Sequence, residues 1–225
     1  MFRELFNLIY PNKCSGCEAT LKTNEKSICS DCLFELPRNY YSSIKENPVF
    51  KLFWGRVDLE DAASAYYFTK GQRIQYILHS LKYQHNTEVG LKLGLLLGVE
   101  LCESPYFKNI DVVVPIPLHP KKEKIRGYNQ SDFIAKGISN ALSVEVDTTS
   151  FKRTKHTESQ TKKGRFERWE NVSEIFSISD KNKFINKHIL LIDDVITTGA
   201  TIEAAAHALK QIEGVKISVA AVASA

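Results

Sequence analysis

Two groups of residues in this sequence have the types and spacing to do chemistry. The first is Cys14-Ser-Gly-Cys17 with Cys29-Ser-Asp-Cys32, which together hold four of the five cysteines. Each C-x-x-C pair turns the backbone so that both sulfurs face one point, and two pairs supply four thiolates to one tetrahedral ion. Zinc is the ion expected, and a closed four-thiolate site leaves no open position, so its role is structural. Gly16 suits the tight first knuckle. The competing reading is redox-active or unpaired thiols. The fifth cysteine, Cys102, falls in an apolar helical pattern and is expected to be a small buried hydrophobe.

The second group is "LLIDDVITTGAT", residues 190–201. An apolar run ends in two adjacent carboxylates, Asp193 and Asp194, followed by Ile196, Thr197, Thr198, Gly199, Ala200 and Thr201. Amides at a helix start attract an anion, a glycine lets the backbone approach it, and the threonines add hydroxyl donors. Two carboxylates beside such a turn are acceptors suited to a vicinal diol. Diol plus phosphate describes a ribose 5-phosphate. Two other readings stand beside it: an ordinary helix-capping turn, and an acidic metal cluster of the phospho-acceptor type. The G-x-x-x-x-G-K-[ST] pattern is absent, so a P-loop nucleotidase is not supported.

These residues need elements to position them. "AASAYYFT" (62–69) reads as a strand, and Ile74, Ile77, Leu78 and Leu81 mark an amphipathic helix. Glycines 90, 94 and 98 recur every fourth residue and predict a smooth helix face for close packing. "DVVVPIPLHP" (111–120) is a buried strand feeding a proline-stiffened loop, and 129–142 is a helix. "HILLID" (188–193) is a second buried strand, 201–214 an alanine-rich helix closed by Gly214, and 215–225 a last strand. Strands alternating with helices imply an α/β fold with a parallel sheet, whose ligands sit beyond the carboxyl ends of the strands. Residues 1–38 form the cysteine module, with Phe2, Leu5, Phe6 and Ile9 at helical spacing. Residues 39–60 read as a linker or irregular excursion, and 61–225 as the main domain.

The acid pair and its threonine-glycine turn resemble the signature of the type I phosphoribosyltransferases, which bind phosphoribosyl pyrophosphate (PRPP). An N-terminal C-x-x-C…C-x-x-C module joined to such a domain resembles the ComF family of competence-associated proteins. Further matches are "LKY" (81–83), "VVPIPLHPKKEKIRGYNQS" (113–131) and "RTKHTESQTKKGRFERWENVSEIF" (153–176). The resemblance implies a type I phosphoribosyltransferase-like parallel sheet flanked by helices. It implies that Asp193 and Asp194 hold the ribose hydroxyls and that 196–201 holds the 5-phosphate. It also implies that Pro115, Ile116 and Pro117 approach the diphosphate, with Arg126, Tyr128, Asn129 and Gln130 in or beside the pocket. The stretch 152–168, with seven Lys/Arg against two acids, suits a mobile loop in which Gln160, Arg165 and Arg168 are the candidate side chains.

Two functions from different classes follow. One is a PRPP-dependent transferase, with Mg²⁺ bridging PRPP oxygens and with Arg126 and Arg165 stabilising the departing pyrophosphate beside the acid pair. A nucleobase salvage enzyme is one form of it. The other is a non-catalytic PRPP-sensing or single-stranded DNA-binding module acting with DNA-uptake proteins in natural transformation. The 225 residues carry a net charge of +4, and Lys121–Arg168 alone holds twelve Lys/Arg against six Asp/Glu. That segment, with Tyr128, Phe166 and Trp169, is the expected DNA surface. No stretch is long and apolar enough to span a membrane, and "MFRELFNLIYP" lacks a cleavage-like run, so a cytoplasmic location without membrane insertion is expected.

Overall fold

A computed structural model describes residues 11–154 and 175–225. Its frame is a five-stranded, all-parallel sheet: β1 (Asp61–Tyr67), β2 (Val112–Pro115), β3 (Glu145–Val146), β6 (His188–Ile196) and β7 (Lys216–Ser224), in the order β1-β7-β6-β2-β3. β4 (Phe151–Arg153) and β5 (Phe176–Ile178) form a separate antiparallel ribbon. The connections from β1 to β2, from β2 to β3 and from β6 to β7 run through helix, as parallel pairing requires.

The continuous apolar runs of β6 and β7 follow from burial on both faces. Leu190 and Ile192 enter one core, while Ile189 and Leu191 enter the other. The first core is closed by α3 (Arg73–Tyr83), α4 (Thr87–Glu103) and α6 (Gln130–Leu142), and the second by α7 (Ala200–Leu209) with residues 47–59. The glycines of α4 do face a neighbouring helix. A Cβ on Gly94 would strike the Ile134 carbonyl oxygen of α6, one on Gly90 would lie 2.8 Å from Phe133 Cβ, and one on Gly98 would lie 2.7 Å from Ala141 Cβ. Cys102 departs from expectation. It is exposed, beyond the stripe of Gly94, Leu97 and Leu101, and its Sγ donates to the Ala141 carbonyl at 3.3 Å.

The segment 39–60 is irregular in path but firmly held. A 3₁₀ turn (Tyr41–Ser43) and a short helix, α2 (Pro48–Lys51), flank Asn47, which is 1% exposed. Its amide donates to the carbonyls of Tyr41, Ile44 and Ala62, and its Oδ1 accepts from the amides of Val49 and Phe50. Val49, Phe53 and Leu59 then bury in the second core.

Three boundaries differ from the sequence reading. The basic run after β2 is not a turn but a short helix, α5 (Pro120–Arg126), because His119 caps it, Pro120 opens it and Gly127 at φ 80° ends it. β6 continues past the acid pair to Ile196, because Val195 and Ile196 pair with Ala223 and Ser224 of β7. α7 stops at Leu209, and Gly214, at φ 69°, serves the turn into β7 instead of capping the helix. Among the described residues no helix is long and apolar enough to cross a membrane.

Candidate phosphoribosyl site and cysteine cluster

The acid pair lies near the carboxyl end of β6, beside the carboxyl end of β2, where Pro115 pairs with Ile192 and the Ile116 amide donates to the Ile192 carbonyl. Asp193 Oδ1 accepts from its neighbour's amide at 2.8 Å and from Ser131 Oγ at 3.3 Å. Asp194 is 5% exposed, and its Oδ2 meets Lys82 Nζ of α3 at 2.7 Å. Burial, and then the adjacent Asp194 charge, raise the Asp193 carboxyl to about 7. Lys82 opposes that rise, and Arg153 on β4 acts on Asp193 through space. The pair therefore carries less than two negative charges near neutrality, and its remaining lone pairs suit hydroxyl donors.

The anion turn follows. Ile196 points its side chain into the second core, Thr197 and Thr198 are exposed, and Gly199 is buried at φ 73° as the N-cap of α7. Ala200 and Thr201 make the first turn of that helix, where backbone amides have no carbonyl partners within the helix. Glycine is required at 199 twice over. Its φ is left-handed, and a Cβ would press on Phe53 at 2.8 Å and Leu52 at 3.2 Å. Phe53 and Leu52 belong to the segment read from sequence as linker. The same segment sends Arg56 across, whose guanidinium donates to the Thr198 carbonyl at 2.8 Å, the Leu52 carbonyl at 3.1 Å and Glu203 Oε2 of α7 at 3.1 Å. The anion turn is thus clamped from outside by a single cation.

Of the other candidates, Asn129 ties the start of α6 to the loop after β2. It caps α6 through Ser131 N and donates to the Ile116 carbonyl at 3.0 Å. Arg126 is held by Gln130 Oε1 at 2.6 Å and lies over the Tyr83 ring at 5.1 Å, with Pro117 partly exposed nearby in sequence. Tyr128 turns away from this group. Its hydroxyl donates to the Leu81 carbonyl and its ring packs on Phe133 and His85, so it braces α3 against α6. Lys121, Lys122 and Lys124 are exposed on α5. Gln160, Arg165, Phe166, Arg168 and Trp169 lie outside the described residues.

Sequence reasoning missed Lys82, Ser131, Arg153 and Arg56 as site residues. Lys82 had a signal, since it lies within the "LKY" stretch beside a strongly apolar helix face. Arg56 had none, because its role depends on a loop-to-helix contact between residues 142 positions apart.

The four cysteines converge. Their sulfurs all lie within 4.8 Å of one another, and Cys17 Sγ and Cys29 Sγ are 3.7 Å apart. Metal–sulfur bonds of about 2.3 Å put tetrahedral sulfurs about 3.8 Å apart, so the cluster has the dimensions of a metal site. Amides point at the sulfurs as they do at thiolates: Gly16 N and Cys29 N toward Cys14, and Cys32 N toward Cys29. Gly16 is needed for proximity, since a Cβ there would lie 2.9 Å from Cys32 Sγ and 3.2 Å from Ile77 of α3.

The clamp is testable. Arg56→Ala removes one charge-assisted hydrogen bond to the anion turn, worth about 1.5–3 kcal/mol where the geometry is buried and near 1 kcal/mol where solvent screens it. Ribose 5-phosphate affinity measured by calorimetry should fall about tenfold while the circular dichroism of the folded chain is kept. An unchanged affinity would show that the turn holds its shape without Arg56.

Comparison with known proteins places this geometry. Residues 126–225 match the family model described as Phosphoribosyl transferase domain. "Competence protein F" of Haemophilus influenzae is 27% identical over 208 residues, covering 88% of this chain and 84% of that protein. "DNA utilization protein YhgH" of Escherichia coli O157:H7 is 25% identical over 196 residues, covering 84% and 80%. "Competence protein ComFC" of Bacillus subtilis is 35% identical over 98 residues, covering 44% of this chain and 38% of that protein. With a parallel sheet flanked by helices, an acid pair before a threonine-glycine turn and a four-cysteine cluster ahead of them, the chain is similar over most of its length to these competence and DNA utilization proteins.

Proposed function

We propose that the protein binds PRPP, or another 5-phosphoribosyl compound, and works in the handling of DNA taken up by the cell. The observation that carries the first half is the run Asp193 to Thr201. Its acid pair sits beside an anion turn whose glycine is buried, left-handed and clamped by Arg56. The printed names of the relatives, competence and DNA utilization proteins, support the second half. Asp193 and Asp194 accept from the ribose hydroxyls, and the amides of 197–201 with Thr197, Thr198 and Thr201 cradle the 5-phosphate. The Pro115–Pro117 backbone lies toward the diphosphate, with Arg126, held by Gln130, as a cation for it. Mg²⁺ would arrive with PRPP and neutralise its diphosphate. Positioning and leaving-group stabilisation are the two effects these residues supply to a transfer reaction. Calorimetry should detect PRPP binding, tighter with Mg²⁺, and an Asp193→Ala/Asp194→Ala variant should lose it by more than tenfold. Equal affinity in the two proteins would remove the site. Pyrophosphate release with a panel of bases then separates a transferase from a binding module.

The cysteine cluster holds zinc in this reading, since four thiolates at these spacings and no open position suit a structural Zn²⁺. Cys17 is the exposed member, so Cys17→Ser removes a ligand without opening the core. Metal analysis should find about one zinc per chain in the native protein. The variant should hold less than half of that and lose structure around residues 11–38 first. Full zinc content in the variant would mean that the metal sits elsewhere or that three ligands suffice.

A second ligand, single-stranded DNA, is favoured by one surface. α3 exposes Tyr76 and Tyr83, with His79 between them and packed at a tilt on Tyr83 at 4.7 Å. A groove of about 650 Å³ between this face and the cysteine knuckle is lined by Lys13, Glu18, Tyr76 and His79, and Arg126 lies over the Tyr83 ring further along α3. Exposed rings for stacking with cations nearby suit a single strand better than the solvated lysines of α5. Binding should be weak, indifferent to sequence and steeply salt-dependent. Tyr76→Ala/Tyr83→Ala should weaken it by about tenfold, given roughly 1–3 kcal/mol per stacked base. DNA binding that is absent at low salt, or unaltered in the double variant, would sink this surface.

A further inference from the structure

The two carboxylates are adjacent in sequence but differ in what holds them. Among the described residues, Asp194 has one ion-pair partner, Lys82, reaching down from the last turn of α3. Asp193 has none within 4 Å, and its hydrogen bonds, from Ser131 Oγ and the Asp194 amide, both end on Oδ1. A carboxylate as buried as Asp194 must be paired or neutral, because stripping its water uncompensated costs several kcal/mol. Lys82 Nζ at 2.7 Å supplies the pairing. The Lys82 side chain is itself mostly covered, 24% exposed, so the ammonium is fixed and not a mobile surface charge.

We propose that Lys82 is the positioning residue of the acid pair: it anchors the Asp194 carboxylate through their ion pair, so that Asp193 is the carboxyl whose Oδ2 meets the ligand. The proposal rests on the phosphoribosyl reading of the site. It assigns the two acids different jobs, and it makes the last turn of α3 part of the ligand site. Lys82 works here as a resident cation, in the place where a ligand-borne metal would otherwise have to offset the charge of two neighbouring acids. The groups facing the pair are Lys82 from α3, Ser131 from α6 and Arg153 from β4.

The direction of the pH effect follows. Asp193 is raised from its ordinary 3.8 to about 7, so between those values the folded state holds a proton that the unfolded state has lost. Stability therefore falls as pH rises through that window. Lys82 lowers the Asp193 value, so removing it must raise that value further and carry the loss to higher pH.

The test uses the full chain as wild type, Lys82→Met and Lys82→Arg, with ribose 5-phosphate as the probe, titrated calorimetrically from pH 5.5 to 8.5. Lys82→Met should bind about tenfold or more weakly at pH 8, as expected when a buried carboxylate loses its ion-pair partner, and recover part of that at pH 5.5. Lys82→Arg should restore both the affinity and the profile. A methionine variant with wild-type affinity and profile overturns the proposal. If the wild type itself binds no ribose 5-phosphate, the phosphoribosyl reading fails, and thermal unfolding decides the role of Lys82 alone. The melting temperature of Lys82→Met should then drop more steeply than the wild type's between pH 5 and 8, and parallel curves overturn the proposal.

Discussion

Two neighbouring carboxylates near the end of a buried parallel strand are the constraint on which the rest of this molecule is arranged. Water alone cannot keep them ionised there, so the fold brings compensation from three directions. A lysine descends from α3, a serine hydroxyl comes from α6, and an arginine approaches from the β4 ribbon. Each of these groups sits on a different element, so three elements must be placed together for the pair to persist. The helices packed on this face are therefore more than a cover for the apolar side of the sheet.

Their placement is achieved by removing side chains. α4 and α6 approach until Gly94 lies against the Ile134 carbonyl and Gly137 against Leu91, a distance at which any Cβ would intrude. Close approach lets α6 deliver Ser131 at its first turn, with Asn129 pinning that turn to the loop after β2. On the other face the same economy appears at Gly199, where Phe53 fills the space a side chain would take. The surroundings of the acid pair and of the threonine-glycine turn are thus both set by glycine contacts with partners from distant sequence.

Much of this was legible in the sequence and some was not, for physical reasons. The strands around Val112–Val114 and Ile189–Ile192 announce themselves because burial on both faces leaves an uninterrupted apolar run. The glycine repeat in α4 correctly signalled a close helix contact, since nothing else explains removing every fourth side chain. The acid pair, the anion turn and the cysteine pairs stand out because each is local, with all its parts within twenty residues. What escaped is what is assembled from afar. Arg56 and Phe53 sit in a stretch without periodicity, whose order comes from the buried amides of Asn39 and Asn47. Tyr128 carried the look of a pocket residue, but its neighbours in space, Leu81 and Phe133, make it a brace. Cys102 was misjudged by about one helical step from the buried stripe of α4.

Gly16 has an architectural meaning that its place in a cysteine knuckle conceals. It seats the knuckle directly on Ile77, and Cys14, Cys29 and Cys32 are members of the same core as Ile74, Ile77 and Leu81. A domain that merely hangs from a neighbour can be exchanged, duplicated or lost in evolution without disturbing it. This one cannot, because the helix it rests on is the one that carries Lys82 to the acids five residues further along. The cysteine module behaves as a keystone inserted into the sheet protein's own core, and descendants that discard it would have to rebuild α3 before they could keep the site.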